Sequence, residues 1–400
     1  MGKAQAESDI SAAAMLPHYN MWDPQHEKAK WDVFSYARRH CPVAHTDAEG
    51  GGQYVVTRYD DVRRVLEDPQ TFSSAGVAPR PSPVRLNPLD ADPPYQVDLR
   101  KILNPLFTRS FLLRFEPELR KNATDLIGRF IDNGRFEFVR EFAGPFVGNA
   151  LSRVVFNEDD PKKMDHAAEV VIRLAVDVTD EAFFELAVLA GQYIAEREAN
   201  PVARNDVLNA IATGTVEGGR PLTEEERLGV ITVLFLGGLD TTRGAMGSIA
   251  YHLARQPELE QRLRDPAWIR QDMDEFIRLE SPVGCLGRTA TRDVELGGVT
   301  IRQGQQLLIR FDSANRDDAR FEDASRLKFD GRRSSSAGFG LGIHRCLGSH
   351  FARIQIAIAF DELFNRLTNL RFADPATEVR WAPGIANGPE ELDLLFDVID

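Results

Sequence analysis

Twelve consecutive residues concentrate the chemistry of this chain: Ala337-Gly338-Phe339-Gly340-Leu341-Gly342-Ile343-His344-Arg345-Cys346-Leu347-Gly348. A glycine-rich loop ends at one cysteine. Leu347, Phe351, Ile354, Ile358, Phe364 and Leu367 then recur at roughly helical spacing, so a helix is expected directly after it. A sulfur at a helix N-terminus meets free amide N–H groups and the positive end of the helix dipole. Both favour the thiolate, the form that attacks and ligates. Gly340, Gly342 and Gly348 let the backbone approach a bulky group without a Cβ in the way. Phe339 could cover that group.

A second cluster lies upstream. Glu224 to about Gln256 reads as one long helix, opened by the capping box Thr223-x-x-Glu226. Its middle runs Gly237-Gly238-Leu239-Asp240-Thr241-Thr242 inside an apolar stretch. Glycine costs about 1 kcal/mol against alanine in a helix interior. Close approach or local loosening is therefore expected there. Val233, Leu236, Gly237, Asp240 and Thr241 share one face by the i, i+3, i+4 rule. Val233 and Leu236 would line a pocket ending at Asp240 and Thr241. The Thr241 hydroxyl is placed to return to the Gly237 carbonyl.

Three chemistries compete for the cysteine loop: a buried structural cysteine, a phosphate cradle, or a thiolate ligand to haem iron. No Lys-Ser/Thr follows the glycines and no G-x-G-x-x-G is present, which argues against the cradle. The pattern F-G-x-G-x-H-x-C-x-G fixes six residue types in ten positions. It resembles the cysteine loop of the cytochrome P-450 family, the haem-thiolate monooxygenases. The resemblance implies a mainly α fold with smaller β-sheets, and haem b held between the long central helix and the cysteine-loop helix. It makes Cys346 the axial ligand, packs Phe339 near the sulfur and Gly340 against the cofactor, and puts His344 near a propionate. Gly237 to Thr242 resembles the family's oxygen-activating motif, in which Asp240 and Thr241 deliver protons and the acid links to solvent.

The resemblance extends over about residues 90 to 365. Asp92-Pro93-Pro94 opens a helix from Tyr95 through Phe107 that carries Arg100, matching a propionate-binding arginine. Gln96 stands where many members have histidine. Glu275 and Arg278 match the E-x-x-R pair of a buried network completed by Arg332 or Arg333. In Pro282-Val283 to Arg288, Arg288 would meet a propionate, while Val283, Cys285 and Leu286 would line the substrate pocket. Cys285 reads as an apolar wall residue, not a ligand. Phe183, Phe184, Leu186 and Leu189 fall in the family's pocket lid. Arg345 with Arg100 and Lys101 would form a basic docking patch for an acidic ferredoxin. Arg80 and Arg85, in the long loop Ser73–Leu89, could meet a substrate carboxylate, although loop arginines ordinarily face water.

Composition bounds the rest. Hydrophobic residues make up 43% of the 400, enough for one large core. No linker, repeat or low-complexity tract divides the chain. The expected organisation is a flexible N-terminal tail, 1–21, and a single haem-binding domain, 22–400. A net charge of −13 argues against nucleic acid as a partner. Cys41, Cys285 and Cys346 make no disulfide framework, which suits a reducing compartment. No signal peptide and no apolar run of about 20 residues is visible, so a soluble, bacterial-type, cytoplasmic enzyme away from membranes is expected. Its expected partners are a small, mostly apolar organic substrate, O2, and an iron–sulfur ferredoxin with its NAD(P)H reductase as separate proteins. A peroxide-driven peroxygenase and a non-catalytic haem sensor are the alternatives. The intact Asp240-Thr241 pair tells against both.

Overall fold

The structure, a computed structural model, describes residues 2–48, 52–80, 82–158, 166–171, 173, 179–201, 205–265, 268, 272–329 and 335–399. Its axis is the 32-residue helix Glu224–Arg255. The helix begins where the capping box requires: Thr223 Oγ1 accepts from the Glu226 N–H at 3.2 Å, and Glu226 Oε2 accepts from the Thr223 N–H at 2.7 Å. The Arg220 guanidinium holds the Glu226 carboxyl down at about 2, so this cap stays ionised across ordinary pH. Val230, Ile231, Phe235, Met246 and Ile249 are buried on several sides, as suits a helix with neighbours all round. At Gly238 an added Cβ would come within 2.8 Å of Leu151, whereas at Gly237 it would meet nothing within 4 Å. One glycine admits a packed neighbour, and the next leaves open space.

The cysteine-loop helix, Ser349–Phe364, starts one residue after Gly348 and buries Phe351, Ile354, Ile358 and Phe360. Leu367, whose spacing extends that helical pattern, instead begins the strand Leu367–Phe372. This strand pairs antiparallel with Asp393–Val398, which pairs with Arg135–Glu137. Arg135–Glu137 is a strand inside residues 109–200, a stretch whose sequence reads as helix after helix with few strand signals. Stacked Phe130 and Phe136, with Phe138, Phe142 and Phe396, fasten this sheet to the helical core.

A five-stranded sheet forms the other flank. Its order is Val43–Thr46, Gln53–Val56, Gln306–Arg310, Cys285–Ala290, Phe72–Ser73. Gln306–Arg310 runs parallel to Gln53–Val56, and the remaining pairs are antiparallel. Val294-Glu295-Leu296, Gly297-Gly298, Val299-Thr300-Ile301 reads in sequence as a hairpin, and Val294–Leu296 does pair antiparallel with Val299–Ile301 across that turn.

The first 21 residues depart from the expected loose tail. Gly2–Met15 is helical, and Ala12, Leu16, Tyr19 and Met21 are buried beneath the sheet with Phe34 of the helix Pro24–His40. Cys285 departs as well. Successive side chains on a strand face opposite ways. Leu286 and Arg288 therefore point into the central cavity, while Cys285 packs behind the sheet with its sulfur 3.6 Å from that of Met21. It is not a pocket residue.

Candidate active site

The long helix and the cysteine loop face each other across one cavity of about 380 Å³. Val233, Leu236, Gly237, Asp240 and Thr241 line it from the long helix. Phe339, Gly340, His344 and Cys346 line it from the loop, Arg100 from the helix Tyr95–Leu103, and Val283, Leu286 and Arg288 from around the sheet. Every candidate site residue except Cys285 and the Glu275–Arg278 pair thus reaches one space.

The loop is held open by its own backbone. Cys346 N–H donates to Phe339 O at 2.8 Å, and Gly340 N–H to Ala337 O at 2.9 Å. Gly342, at φ +65°, passes so close to the Leu66 carbonyl that an added Cβ would sit 2.1 Å from it. Gln96, buried, donates to Ile343 O at 2.8 Å, so the residue replacing the usual histidine ties helix to loop. Arg353 stacks 4.2 Å over the Phe339 ring while pairing with Asp274 at 2.9 Å.

Cys346 is solvent-accessible only because it opens onto this internal cavity. Burial pushes its thiol up, against the Gly348 N–H and the Arg100, Arg353 and Arg345 guanidiniums. The other two thiols are pushed up by burial as well, Cys285 to about 12. Arg100 and Arg288 face the cavity with no carboxylate at ion-pair distance among the described residues. Burial lowers both, Arg288 to about 10. His344, whose Nε2 lies 2.8 Å from Ser74 Oγ, is pushed down to about 4, chiefly by burial and then by Arg288. The imidazole is therefore neutral near pH 7.

Asp240 is only 6% exposed and pairs with Arg243, whose Nε donates to Oδ1 at 3.0 Å. This acid, expected to link to solvent, is held by an ion pair one helical turn along. Thr241 Oγ1 donates to Gly237 O at 2.7 Å, as its spacing predicts.

Glu275 and Arg278 lie outside the cavity, 3% and 0% exposed. They form two hydrogen bonds of 2.8 Å. Arg278 also donates to the carbonyls of Asn315, Ala324 and Arg326. Arg332 and Arg333, the expected third partners, lie outside the described residues.

A flat, dianionic metal complex fits these walls. Buried Arg288 and half-buried Arg100 face the cavity without counter-charges, and a buried guanidinium costs several kcal/mol unless an anion meets it. No group of three His, Cys, Asp or Glu among the described residues could hold a bare metal ion. The single sulfur would therefore bind a metal that brings its other ligands with it.

The profile of one family, Cytochrome P-450, matches residues 269–396. Probable cytochrome P-450 127A1 of Sinorhizobium fredii is 31% identical over 350 residues, covering 85% of this chain and 83% of that protein. The chain belongs to the cytochrome P-450 family. Mycinamicin IV hydroxylase/epoxidase of Micromonospora griseorubida is 29% identical over 362 residues, 87% of this chain and 90% of that one. Among solved structures, a mutant of P-450 EryK in complex with erythromycin B superposes with a TM-score of 0.82 at 27% identity, over 92% of this chain and 96% of that one. CYP109Q5 from Chondromyces apiculatus gives 0.84 at 25%, over 96% and 100%. The architecture above is thus the cytochrome P-450 fold, the cofactor is haem b, and the enzyme is an oxidoreductase that incorporates oxygen from O2. Among the described residues no helix is long and apolar enough to cross a membrane.

Sequence reasoning missed two residues of this site, Arg243 and Ser74, and the contact that Gln96 makes. Arg243 lies three positions from Asp240, a spacing that marks helix ion pairs. Ser74 and Gln96, which hold the loop through His344 and Ile343, carry no local signal for those contacts.

Proposed function

We propose that this cytochrome P-450 holds haem through the Cys346 thiolate and hydroxylates, or similarly oxidises, a small and mostly apolar organic substrate, with electrons from NAD(P)H through a separate ferredoxin system. The observation that carries the reading is one cavity shared by an open cysteine, two uncompensated arginines and the Asp240–Thr241 pair. Arg100 and Arg288 receive the two propionates, with neutral His344 beside them. Phe339 and Gly340 shape the sulfur side. When bound, haem activates O2, so that substrate C–H, O2, two electrons and two protons give C–OH and water. Thr241 keeps its proton on the Gly237 carbonyl and offers its lone pairs to water in the cavity. Asp240, held by Arg243, relays protons toward that hydroxyl. Val233, Leu236, Val283 and Leu286 exclude bulk water and grip the substrate. The decisive measurement is the absorbance of the reduced protein with carbon monoxide. A red-shifted thiolate Soret band is expected; a band typical of histidine ligation overturns the Cys346 assignment.

The ferredoxin surface is smaller than the sequence suggests. Arg100 turns into the cavity, and Lys101 pairs with Asp98 at 2.9 Å. Arg345 remains exposed near Arg109 and His350, and neither arginine has an ion-pair partner among the described residues. This positive face on an acidic chain suits an acidic iron–sulfur protein. Arg345→Glu is expected to slow reduction by the native ferredoxin several-fold at low salt and to flatten its salt dependence. Stopped-flow reduction rates that match wild type at every ionic strength would remove Arg345 from the docking face.

A further inference from the structure

One large aromatic side chain of the cavity comes from a part of the chain that none of the site's motifs reaches. Trp22 precedes the helix Pro24–His40 by two residues, is half-buried, and lines the cavity. The short turn that carries it is fixed at several points. Trp22 N–H donates to Asn20 Oδ1 at 2.9 Å, and Asn20 N–H donates to His26 Nδ1 at 2.9 Å. Tyr19 and Met21, on either side of Asn20, are buried beneath the five-stranded sheet. Met21 O accepts from Gly384 N–H at 3.0 Å. A side chain carried on such a turn is organised before any ligand arrives.

The indole meets two separate loops, and both of them line the cavity. At Gly384, where φ is +93°, an added Cβ would lie 2.1 Å from the six-membered ring, so only glycine leaves the ring its place. The next two residues, Ile385 and Ala386, line the cavity. Ala386 pairs with Val283, and Gly284 N–H donates to Ile385 O at 2.7 Å, which joins this segment to the wall around Val283. On the other loop, Pro79 and Arg80 line the cavity, and the Arg80 guanidinium carbon lies 4.7 Å from the Trp22 ring centroid. That loop is tied to the sheet where Gly287 N–H donates to Val77 O at 2.6 Å. Trp22 thus fills the place where the two lining loops come together. A cation over one ring and a glycine against it hold the indole still.

We infer that Trp22 is a specificity-determining residue: its indole closes the cavity between the Arg80 loop and the Gly384–Ala386 segment, and so limits the length of the apolar substrate that the cavity admits. The inference rests on the monooxygenase reading of the cavity and adds a size limit to its substrate class. Each methylene buried against apolar walls strengthens binding about fourfold. A methylene that meets a fixed ring gains nothing, because a well-packed wall does not yield without strain. Affinity along a homologous series therefore climbs and then breaks, and the position of the break reports the wall.

The test is calorimetric binding to the haem-loaded protein, using the neutral n-alkyl phenyl ketones from acetophenone to decanophenone. Wild type is expected to bind each longer ketone more tightly up to one chain length and no further. Trp22→Ala is expected to move that break by about two carbons or more, so that the first ketones beyond the wild-type break gain about tenfold. Ketones shorter than the break are expected to stay within about threefold of wild type. Trp22→Phe, which keeps a smaller ring against Gly384, is expected to move the break by less, and it carries the test if the alanine variant does not fold. The assignment is overturned if the break stays in place in these variants, if they weaken the whole series alike, or if wild type shows no break. The carbon monoxide spectrum of the same samples separates the two levels. A thiolate band with an unmoved break sinks the role of Trp22 alone, whereas a missing band sinks the reading of the site beneath it.

Discussion

Replacing Glu275 by glutamine is expected to remove about 3–5 kcal/mol of folding stability. That is a large share of the roughly 5–15 kcal/mol that holds a typical domain together. Arg278 is fully buried, and its Nε and Nη2 both donate to Glu275. Glu275 also accepts from the Lys328 N–H at 2.7 Å. The neutral amide would leave the guanidinium charge uncompensated and turn one N–H donor toward another. The carbonyls of Asn315, Ala324 and Arg326 solvate Arg278 but carry no net charge. Asn315 also accepts from the Ala337 N–H at 2.7 Å, so the damage would travel into the cysteine loop. Denaturant midpoints and retention of haem on gel filtration measure both effects. Asp125→Asn, which breaks the exposed pair with Lys121, is the control and is expected to cost under about 1 kcal/mol. Equal losses in the two variants would show that the buried pair is no more than a surface contact.

The contrast between these pairs also marks what a sequence can reveal. Glu275-x-x-Arg278 is visible as a spacing, but its burial is made by carbonyls 37 to 48 residues further on. Features set by local backbone demands were legible: the capping box at Thr223, the hairpin at Gly297-Gly298, and the Thr241 hydroxyl on Gly237. Each depends on residues within four positions of one another. The cysteine loop was legible because close backbone approach restricts several of its positions to glycine, Gly342 against Leu66 among them. The N-terminal segment was not legible. Gly2–Met15 has no strong apolar face, and Ala12, Leu16, Tyr19 and Met21 find their partners on the distant helix Pro24–His40 and under the sheet. The face that Cys285 occupies depended on strand phase, which the single apolar stretch from Val283 to Leu286 does not fix. Lys101 and Arg100 are neighbours in sequence yet diverge, because adjacent helical positions point about 100° apart.

Thr241→Ala is expected to leave the thiolate spectrum and substrate affinity near wild type while most reducing equivalents end as hydrogen peroxide in solution. The hydroxyl does two things: it satisfies the Gly237 carbonyl at 2.7 Å and presents an acceptor to the cavity. Alanine removes both without changing the walls that grip the cofactor. Protons then arrive with no fixed site to order them, and oxygen leaves half-reduced. Asp240→Asn is expected to act differently. Oδ1 is engaged by Arg243, and Oδ2 has no partner among the described residues. The carboxylate can therefore hold a proton donor toward Thr241 while keeping its ion pair. Asparagine cannot cycle a proton and also leaves Arg243 without its counter-charge. Turnover should fall at least about tenfold, with a larger solvent deuterium isotope effect and coupling mostly kept. The measurements are NAD(P)H consumed, product formed and peroxide formed, side by side. Full coupling in Thr241→Ala together with full rate in Asp240→Asn would mean that protons reach the cavity by a path through neither residue.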